Sequence, residues 1–199
     1  MAEKPILHKL VLGFMGNNIY IYGPNKKEMA IIDAGFEEKS IKEYLTKHKL
    51  IPKVIIITHG HRDHTAVAPS LARYYHIPII ISSKTGRFRA DKIKKVENGD
   101  EISLGKLQLV IKHAPGHSKD SIIVIDYENK LIFVGDVLFK SGVGRTDFMG
   151  GSHQLLMDSI KKVIIEDLSI SDDFLILPGH GPETTVGDEK KFNPFRSYW

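Results

Sequence analysis

The sequence predicts a mixed α/β protein. Short apolar runs of β type recur along the whole chain, a few stretches carry apolar residues at helical spacing, and one run is apolar almost throughout, as in strands buried on both faces. At 199 residues the chain is long enough to bury a core without disulfides or a structural metal. A hydrophobic fraction of 42% with 26% charged residues is that of an ordinary globular protein, and one domain over residues 1–199 with a short C-terminal tail is expected.

Ile6–Leu12, Ile19–Tyr22 and Met29–Ile32 read as strands, separated by turns at Gly13, Gly16-Asn17-Asn18 and Gly23-Pro24-Asn25. Ser40–His48 reads as a helix, with Ile41, Tyr44, Leu45 and His48 on one face. Lys53–Thr58 is the doubly buried strand. Thr65–His76 reads as one helix with Pro69 in its first turn, where proline is tolerated. Strands then follow at Ile79–Ser82, Ile102–Leu104, Leu107–Ile111, Ser121–Asp126 and Lys130–Val134, the last two as a hairpin across Tyr127–Asn129. His153–Glu166 reads as a helix capped by Ser152, and Phe174–Leu177 as the last buried strand; the tail from Gly187 is mixed, and its Phe192, Phe195, Tyr198 and Trp199 are expected to pack back on the body or at a subunit contact.

Composition excludes several chemistries. There is no cysteine, so disulfide scaffolds, thiolate metal sites and cysteine nucleophiles are ruled out, and any metal must be held by His, Asp or Glu. The net charge of +4 reads as lysines spread along the chain, a solvated surface mildly favouring anionic substrates, with no nucleic-acid partner expected. The longest apolar runs, Val54–Ile57 and Ile77–Ile81, are far below membrane-spanning length, and no targeting segment is legible near the N-terminus, so a cytoplasmic protein is expected.

The main chemical signal is His59-Gly60-His61-Arg62-Asp63-His64, directly after a buried strand. In an extended or turning segment, His59 and His61 point the same way and can grip one metal, while Asp63 and His64 leave the turn one step later and can grip another. A surface cluster is the alternative, but imidazoles packed so closely repel one another when protonated. Asp33, His117, Asp136 and His180 each end a β-type run in a glycine-containing turn. Any one of them alone would be an ordinary turn residue; with the six-residue cluster they read as one convergent site.

This ensemble resembles the metallo-β-lactamase superfamily, whose H-x-H-x-D-H pattern followed by His, Asp and His stands here complete and in order. The resemblance implies a four-layer αββα sandwich with two divalent metal ions, zinc before iron or manganese, at one edge. His59, His61 and His117 would hold one ion and Asp63, His64 and His180 the other. Asp136 would bridge them with a hydroxide that serves as nucleophile, and Asp63 would orient it and take its proton. The Asp33-Ala34-Gly35 turn is similar to the family's early aspartate motif, which is structural.

Gly135-Asp136-Val137-Leu138-Phe139, Gly144-Arg145-Thr146-Asp147-Phe148 and the stretch from Pro178 to Thr185 are similar to small glyoxalase II-like hydrolases. The resemblance therefore implies hydrolysis of a small-molecule thioester such as S-lactoylglutathione by a monomer or homodimer. Arg145 is a candidate to hold a carboxylate of the thiol carrier, or else to pair with Asp147 and fix its own loop. The separate helical region of larger relatives is reduced here, which leaves the carrier open. The Gly-Arg-Thr-Asp-Phe stretch also resembles persulfide dioxygenases with a single iron, the rival reaction class; a lactonase or other ester hydrolase is the further alternative. His113 and His153 are read as non-ligands, because Pro115-Gly116 breaks any helix joining His113 to His117 and His153 opens a surface helix.

Overall fold

A strand that is apolar on both faces needs a hydrophobic layer on each side. The computed structural model, which describes residues 4–199, supplies those layers; the first three residues of the expected domain lie outside the described part. One sheet holds β1 (Ile6–Leu12), β2 (Asn17–Asn25), β3 (Glu28–Ile32), β4 (Pro52–Ile56), β5 (Ile79–Ser82) and β6 (Ile93–Val96) in that order. Its first three strands are antiparallel and β3 to β6 run parallel. The other sheet is built from β7 (Glu101–Leu104), β8 (Leu107–His113), β9 (Ile122–Asp126), β10 (Leu131–Gly135), β13 (Leu175–Pro178) and β14 (Thr184–Thr185). Between β10 and β13, which pair in parallel, lies the small hairpin β11 (Leu138–Phe139) and β12 (Gly142–Val143).

The period-two side-chain rule sorts these strands into layers. From β2, Tyr20 and Tyr22 face the second sheet while Ile19 and Ile21 face the helices; from β4, Val54 and Ile56 go inward while Ile55, and Ile57 just after the strand, go outward. The inner cluster joins the two sheets through residues such as Tyr22, Ile32, Leu109, Val124 and Phe133. A second cluster packs the first sheet against α1 (Glu38–His48) and α3 (Ala68–Tyr75). A third packs the other sheet against α4 (His153–Ile160) and the π-helical turn that continues it over Lys161–Ile165. Three buried interfaces between four layers make the αββα sandwich that the family resemblance implies.

Differences from the sequence expectation have local causes. The single helix expected over Thr65–His76 is two, α2 (Arg62–Thr65) and α3. Pro69, with no N–H to donate, fits only the first turn of α3, and the Val67 N–H between the helices is taken by the carbonyl of Ala34. The strand β6 is masked in sequence by Lys94 and Lys95, exposed on an edge strand where charge prevents further pairing. The tail forms α5 (Val186–Phe192), capped by the Thr185 hydroxyl. Phe195 and Trp199 pack on the third cluster, as expected, whereas Phe192 and Tyr198 stay exposed.

Phe133 is the inner layer's aromatic hub, 1% exposed and with ring centroids 5.5 Å from Tyr20 and 5.3 Å from Tyr22. Phe133→Ala is expected to cost about 3–5 kcal/mol of folding stability, read as a lowered denaturant midpoint. A loss below about 1 kcal/mol would show that the two sheets do not depend on this contact.

Candidate metal centre

Every candidate residue leaves the end of a strand at the same edge of the sandwich. Asp33 follows β3, the segment 58–64 follows β4, His117 lies in the loop after β8, Asp136 follows β10 and His180 follows β13. The two sheets are tied together at this edge. Asn18 donates from its backbone to Gly179 O at 2.7 Å, its side chain donates to Pro178 O and Gly181 O at 2.8 Å each, and Tyr20 Oη donates to Pro178 O at 2.9 Å. The Ile122 N–H meets the carbonyl of Thr58 at 2.8 Å.

The donors form two groups, His59, His61 and His117 in one and Asp63, His64, Asp136 and His180 in the other, with the donor atoms of each group all within 4.8 Å of one another. In the first group His61 Nδ1 lies 3.1 Å from His59 Nε2 and 2.9 Å from His117 Nε2. In the second, His64 Nε2 is 3.5 Å from Asp63 Oδ2 and 3.4 Å from Asp136 Oδ1, and His180 Nε2 is 3.4 Å from Asp63 Oδ2. Asp136 also reaches the first group, with Oδ2 3.8 Å from His117 Nε2.

The outward-facing ring nitrogens decide which atoms are free. His117 Nδ1–H donates to the carbonyl of Arg145 at 2.8 Å, His180 Nδ1–H to that of Met15 at 3.2 Å, and His64 Nδ1–H to Asp33 Oδ2 at 2.9 Å. Thr58 Oγ1–H is committed to Asp33 Oδ2 at 2.7 Å, so it accepts from His59 Nδ1–H at 3.1 Å. Each of these rings therefore turns its Nε2 toward the centre. A ring whose second N–H is fixed by a carboxylate, carbonyl or hydroxyl is how proteins orient metal-ligating histidines.

Electrostatics agree with a cation seat. Burial pushes His59 well below the ordinary imidazole range, and the rings of His64, His117 and His61 push it further; burial and His117 lower His61. Both are neutral and keep a lone pair. Burial opposes a proton on His64, yet Asp33 and Asp136 raise it well above the usual range. Burial likewise opposes charge on Asp63 and Asp136, but His180 and His64 hold Asp63 down and His64 does the same for Asp136. Among the described residues, no Lys or Arg forms an ion pair with Asp33, Asp63 or Asp136.

The residues fit a divalent metal. His64 Nε2 and Asp136 Oδ1 are buried with no hydrogen-bond partner, a costly arrangement unless something else coordinates them. Ligands about 2.1 Å from a tetrahedral ion lie about 3.4 Å apart, close to the 3.4–3.5 Å contacts of His64 with the two carboxylates. Imidazole and carboxylate donors suit zinc, iron or manganese.

Asp33 accepts from the Thr58 N–H at 2.8 Å as well as from the Thr58 hydroxyl and His64, the structural part expected of it. It does so in the left-handed region, at φ 59°, a conformation that aspartate tolerates better than most residues. Arg145 lines the open cavity of about 510 Å³ above the donors. Its guanidinium already grips Asp147, Nε to Oδ1 at 2.7 Å and Nη2 to Oδ2 at 2.5 Å, and stacks 4.1 Å above the Phe148 ring. His113 ends β8 and donates to Lys119 O, and His153 is exposed at the start of α4, so neither reaches the donors.

Asn17 was legible only as a turn residue. It is 1% exposed, and its amide donates to Asp63 O at 3.0 Å and Asp63 Oδ2 at 3.1 Å. No local pattern marks it, because its partner is 46 residues away.

Comparison with known proteins places this geometry in a family. The family model for the metallo-beta-lactamase superfamily matches residues 12–180. The chain is 32% identical to hydroxyacylglutathione hydrolase GloC of Haemophilus influenzae, over 89% of this chain and 92% of that one. Among solved structures it is similar to BLEG-1, described as a B3 metallo-beta-lactamase, with TM-score 0.86, 29% identity and coverage of 96% and 100% of the two chains. It is similar to ETHE1 from Myxococcus xanthus, with TM-score 0.84, 28% identity and coverage of 95% and 83%. It is also similar to TTHA1623 in a di-iron-bound form, with TM-score 0.81, 27% identity and coverage of 94% and 99%.

Gly179 makes the second donor group possible. A Cβ there would stand 2.3 Å from Asp136 Oδ1 and 2.6 Å from His64 Cε1. Gly179→Ala is expected to leave a folded protein that retains at most one of two metal equivalents after dialysis, measured by elemental analysis. Two tightly held equivalents in the variant would sink this account of the second group.

Proposed function

This chain belongs to the metallo-beta-lactamase superfamily, and on that premise we propose that it is a metal-dependent hydrolase of small-molecule thioesters of the S-lactoylglutathione type. The observation that carries the reading is the likeness to GloC along nearly the whole of both chains, joined to a donor set that lacks no member of the expected seven. His59, His61 and His117 would hold one ion, Asp63, His64 and His180 the other, with Asp136 shared between them. When bound, the two ions supply an activated water at neutral pH and a Lewis acid for the carbonyl.

The chain's own residues do the rest. Asp63 Oδ2, aimed by the Asn17 amide, orients the attacking water and takes its proton. His59, His117 and His180 are oriented by Thr58, Arg145 O and Met15 O, so each presents Nε2 to the centre. Met15, Phe148 and Met149 form an apolar mouth that holds the acyl group and keeps bulk water from the carbonyl. The thiolate leaves without an acid. Zinc is the expected metal, with iron the alternative that the di-iron form of TTHA1623 keeps in play. The reading takes the whole chain as one catalytic domain, cytoplasmic, acting on a small molecule; no helix among the described residues is long and apolar enough to cross a membrane.

A persulfide dioxygenase is the second reading, favoured by the likeness to ETHE1. It would use the ligands of the first ion alone, and it leaves the orphaned His64 Nε2 without a purpose. The test is turnover of S-lactoylglutathione by metal-replete protein, followed by thiol release, beside oxygen uptake with glutathione persulfide and opening of a β-lactam ring. A kcat/KM above about 10⁴ M⁻¹s⁻¹ for the thioester is expected; oxygen uptake with no thioester turnover would replace this reading by the second.

Asp136→Ala is expected to lose one or both metals and at least about a thousandfold in kcat, because a carboxylate shared by two ions has no substitute nearby. Full activity with two metals bound would refute its role as the shared ligand.

A further inference from the structure

Beside the cavity above the donors lies a second hollow of about 270 Å³, which shares His61 and Met149 with it, so the two form one continuous cleft. Its walls include Thr85, Arg87, Phe88, Lys119 and Asp120. Arg87 and Lys119 are exposed, and among the described residues neither side chain has a hydrogen-bond or ion-pair partner. Arg145, the cation singled out from the sequence, is in contrast already engaged by Asp147. Asp120 is 6% exposed and uses one oxygen to accept from Ser118 Oγ at 2.7 Å. The Thr85 hydroxyl is buried without a partner.

The charge of this region corrects the reading of a dispersed excess. Residues 84–95 hold Lys84, Arg87, Arg89, Lys92, Lys94 and Lys95 against Asp91 alone, a net +5, whereas the entire chain carries +4. The loop bearing Arg87 is held in place rather than splayed: Thr85 O accepts from Lys95 Nζ at 2.9 Å, the Ser83 N–H bonds Val96 O at 2.9 Å, and Asp91 is paired with Arg73.

We propose that this hollow is the seat for the far end of the thiol carrier, and that it takes an amino-acid terminus bearing both carboxylate and ammonium. Arg87 and Lys119 receive the carboxylate; a guanidinium and a carboxylate match in charge and in planar geometry. Asp120 repels a simple anion and attracts the ammonium, which selects a peptide thiol over a phosphate-bearing one. Phe88 and Met149 cover the stem of the carrier as it passes from the metal cavity. The proposal deepens the thioester-hydrolase reading and depends on it only for the reactive end of the ligand.

The experiment is calorimetric titration of metal-loaded protein with S-methylglutathione, a thioether that cannot be hydrolysed. The Arg87→Ala/Lys119→Ala variant is expected to bind about tenfold more weakly than wild type. Asp120→Asn is expected to lose several-fold for S-methylglutathione and nothing for its N-acetylated form. Lys26→Ala/Lys27→Ala, which removes the same charge from an exposed turn, is the control and is expected to bind like wild type. Equal binding by the Arg87/Lys119 variant, an equal loss in the control, or tighter binding of desulfo-coenzyme A than of S-methylglutathione would overturn the proposal. If binding depends on Arg87 and Lys119 but no thioester is turned over, the hydrolase reading falls and the seat stands. Thioester turnover with binding indifferent to Arg87 and Lys119 gives the reverse.

Discussion

Burial of both sheets on both faces is the constraint from which the rest follows. The inner cluster fills one face of each sheet, and the helices cover the others. A polar side chain on the body of such a strand would be desolvated with no partner, at a cost of a few kcal/mol. The one region where many polar groups can gather is the edge where strands end and loops begin. The parallel pairs β3–β4 and β10–β13 each bring two strand ends to that edge side by side, which is why residues as distant in sequence as Asp33 and His180 belong to one site. The fold thus sets where the donors lie before any of them is chosen.

What converts a crowd of polar residues into ligands is the layer behind them. Asp33 is 3% exposed and satisfies its charge with three hydrogen bonds, two from Thr58 and one from His64. That arrangement fixes the proton of His64 on Nδ1 and, through the Thr58 hydroxyl, that of His59 as well. A single buried carboxylate therefore orients one ring in each donor group. Its left-handed backbone, strained for most residues, is retained because relaxing it would break all three bonds at once. The strain belongs to the support of the site and not to the chemistry itself.

The sequence shows most of this because most of it is local. A buried strand must be apolar at consecutive positions, as Val54–Ile57 is, and a pair of candidate metal ligands two residues apart, as His59 and His61 are, can be seen within one window. The same logic explains what stayed hidden. The strand β6 is short and carries two lysines because it lies on an edge, so the property that makes it a safe edge removes its signal. Helix α4 runs into a π turn without any change in its apolar spacing. Asn17 serves Asp63 through a contact made only after both sheets have assembled, and a turn asparagine looks the same whether or not such a partner exists.

On the proposed reading, chemistry and specificity are separated physically. The donors are buried or half-buried, neutralised by one another, and held by hydrogen bonds from strand ends. Among the described residues, the unpaired cations of the cleft, Arg87 and Lys119, are exposed, and neither side chain takes part in the hydrogen bonds that orient the donors. Because residues 84–95 carry more positive charge than the entire chain, the remainder is slightly acidic, and the positive charge is concentrated on the segment that carries Arg87. Changing Arg87 would, on that reading, alter which ligand arrives without touching the hydrogen bonds that orient the donors. Arg145 is coupled to both sides: its carbonyl fixes His117 while its guanidinium is held by Asp147. A residue tied at both ends is poorly suited to reach for a mobile carrier, and this is the physical reason to look for carrier recognition at Arg87 and Lys119.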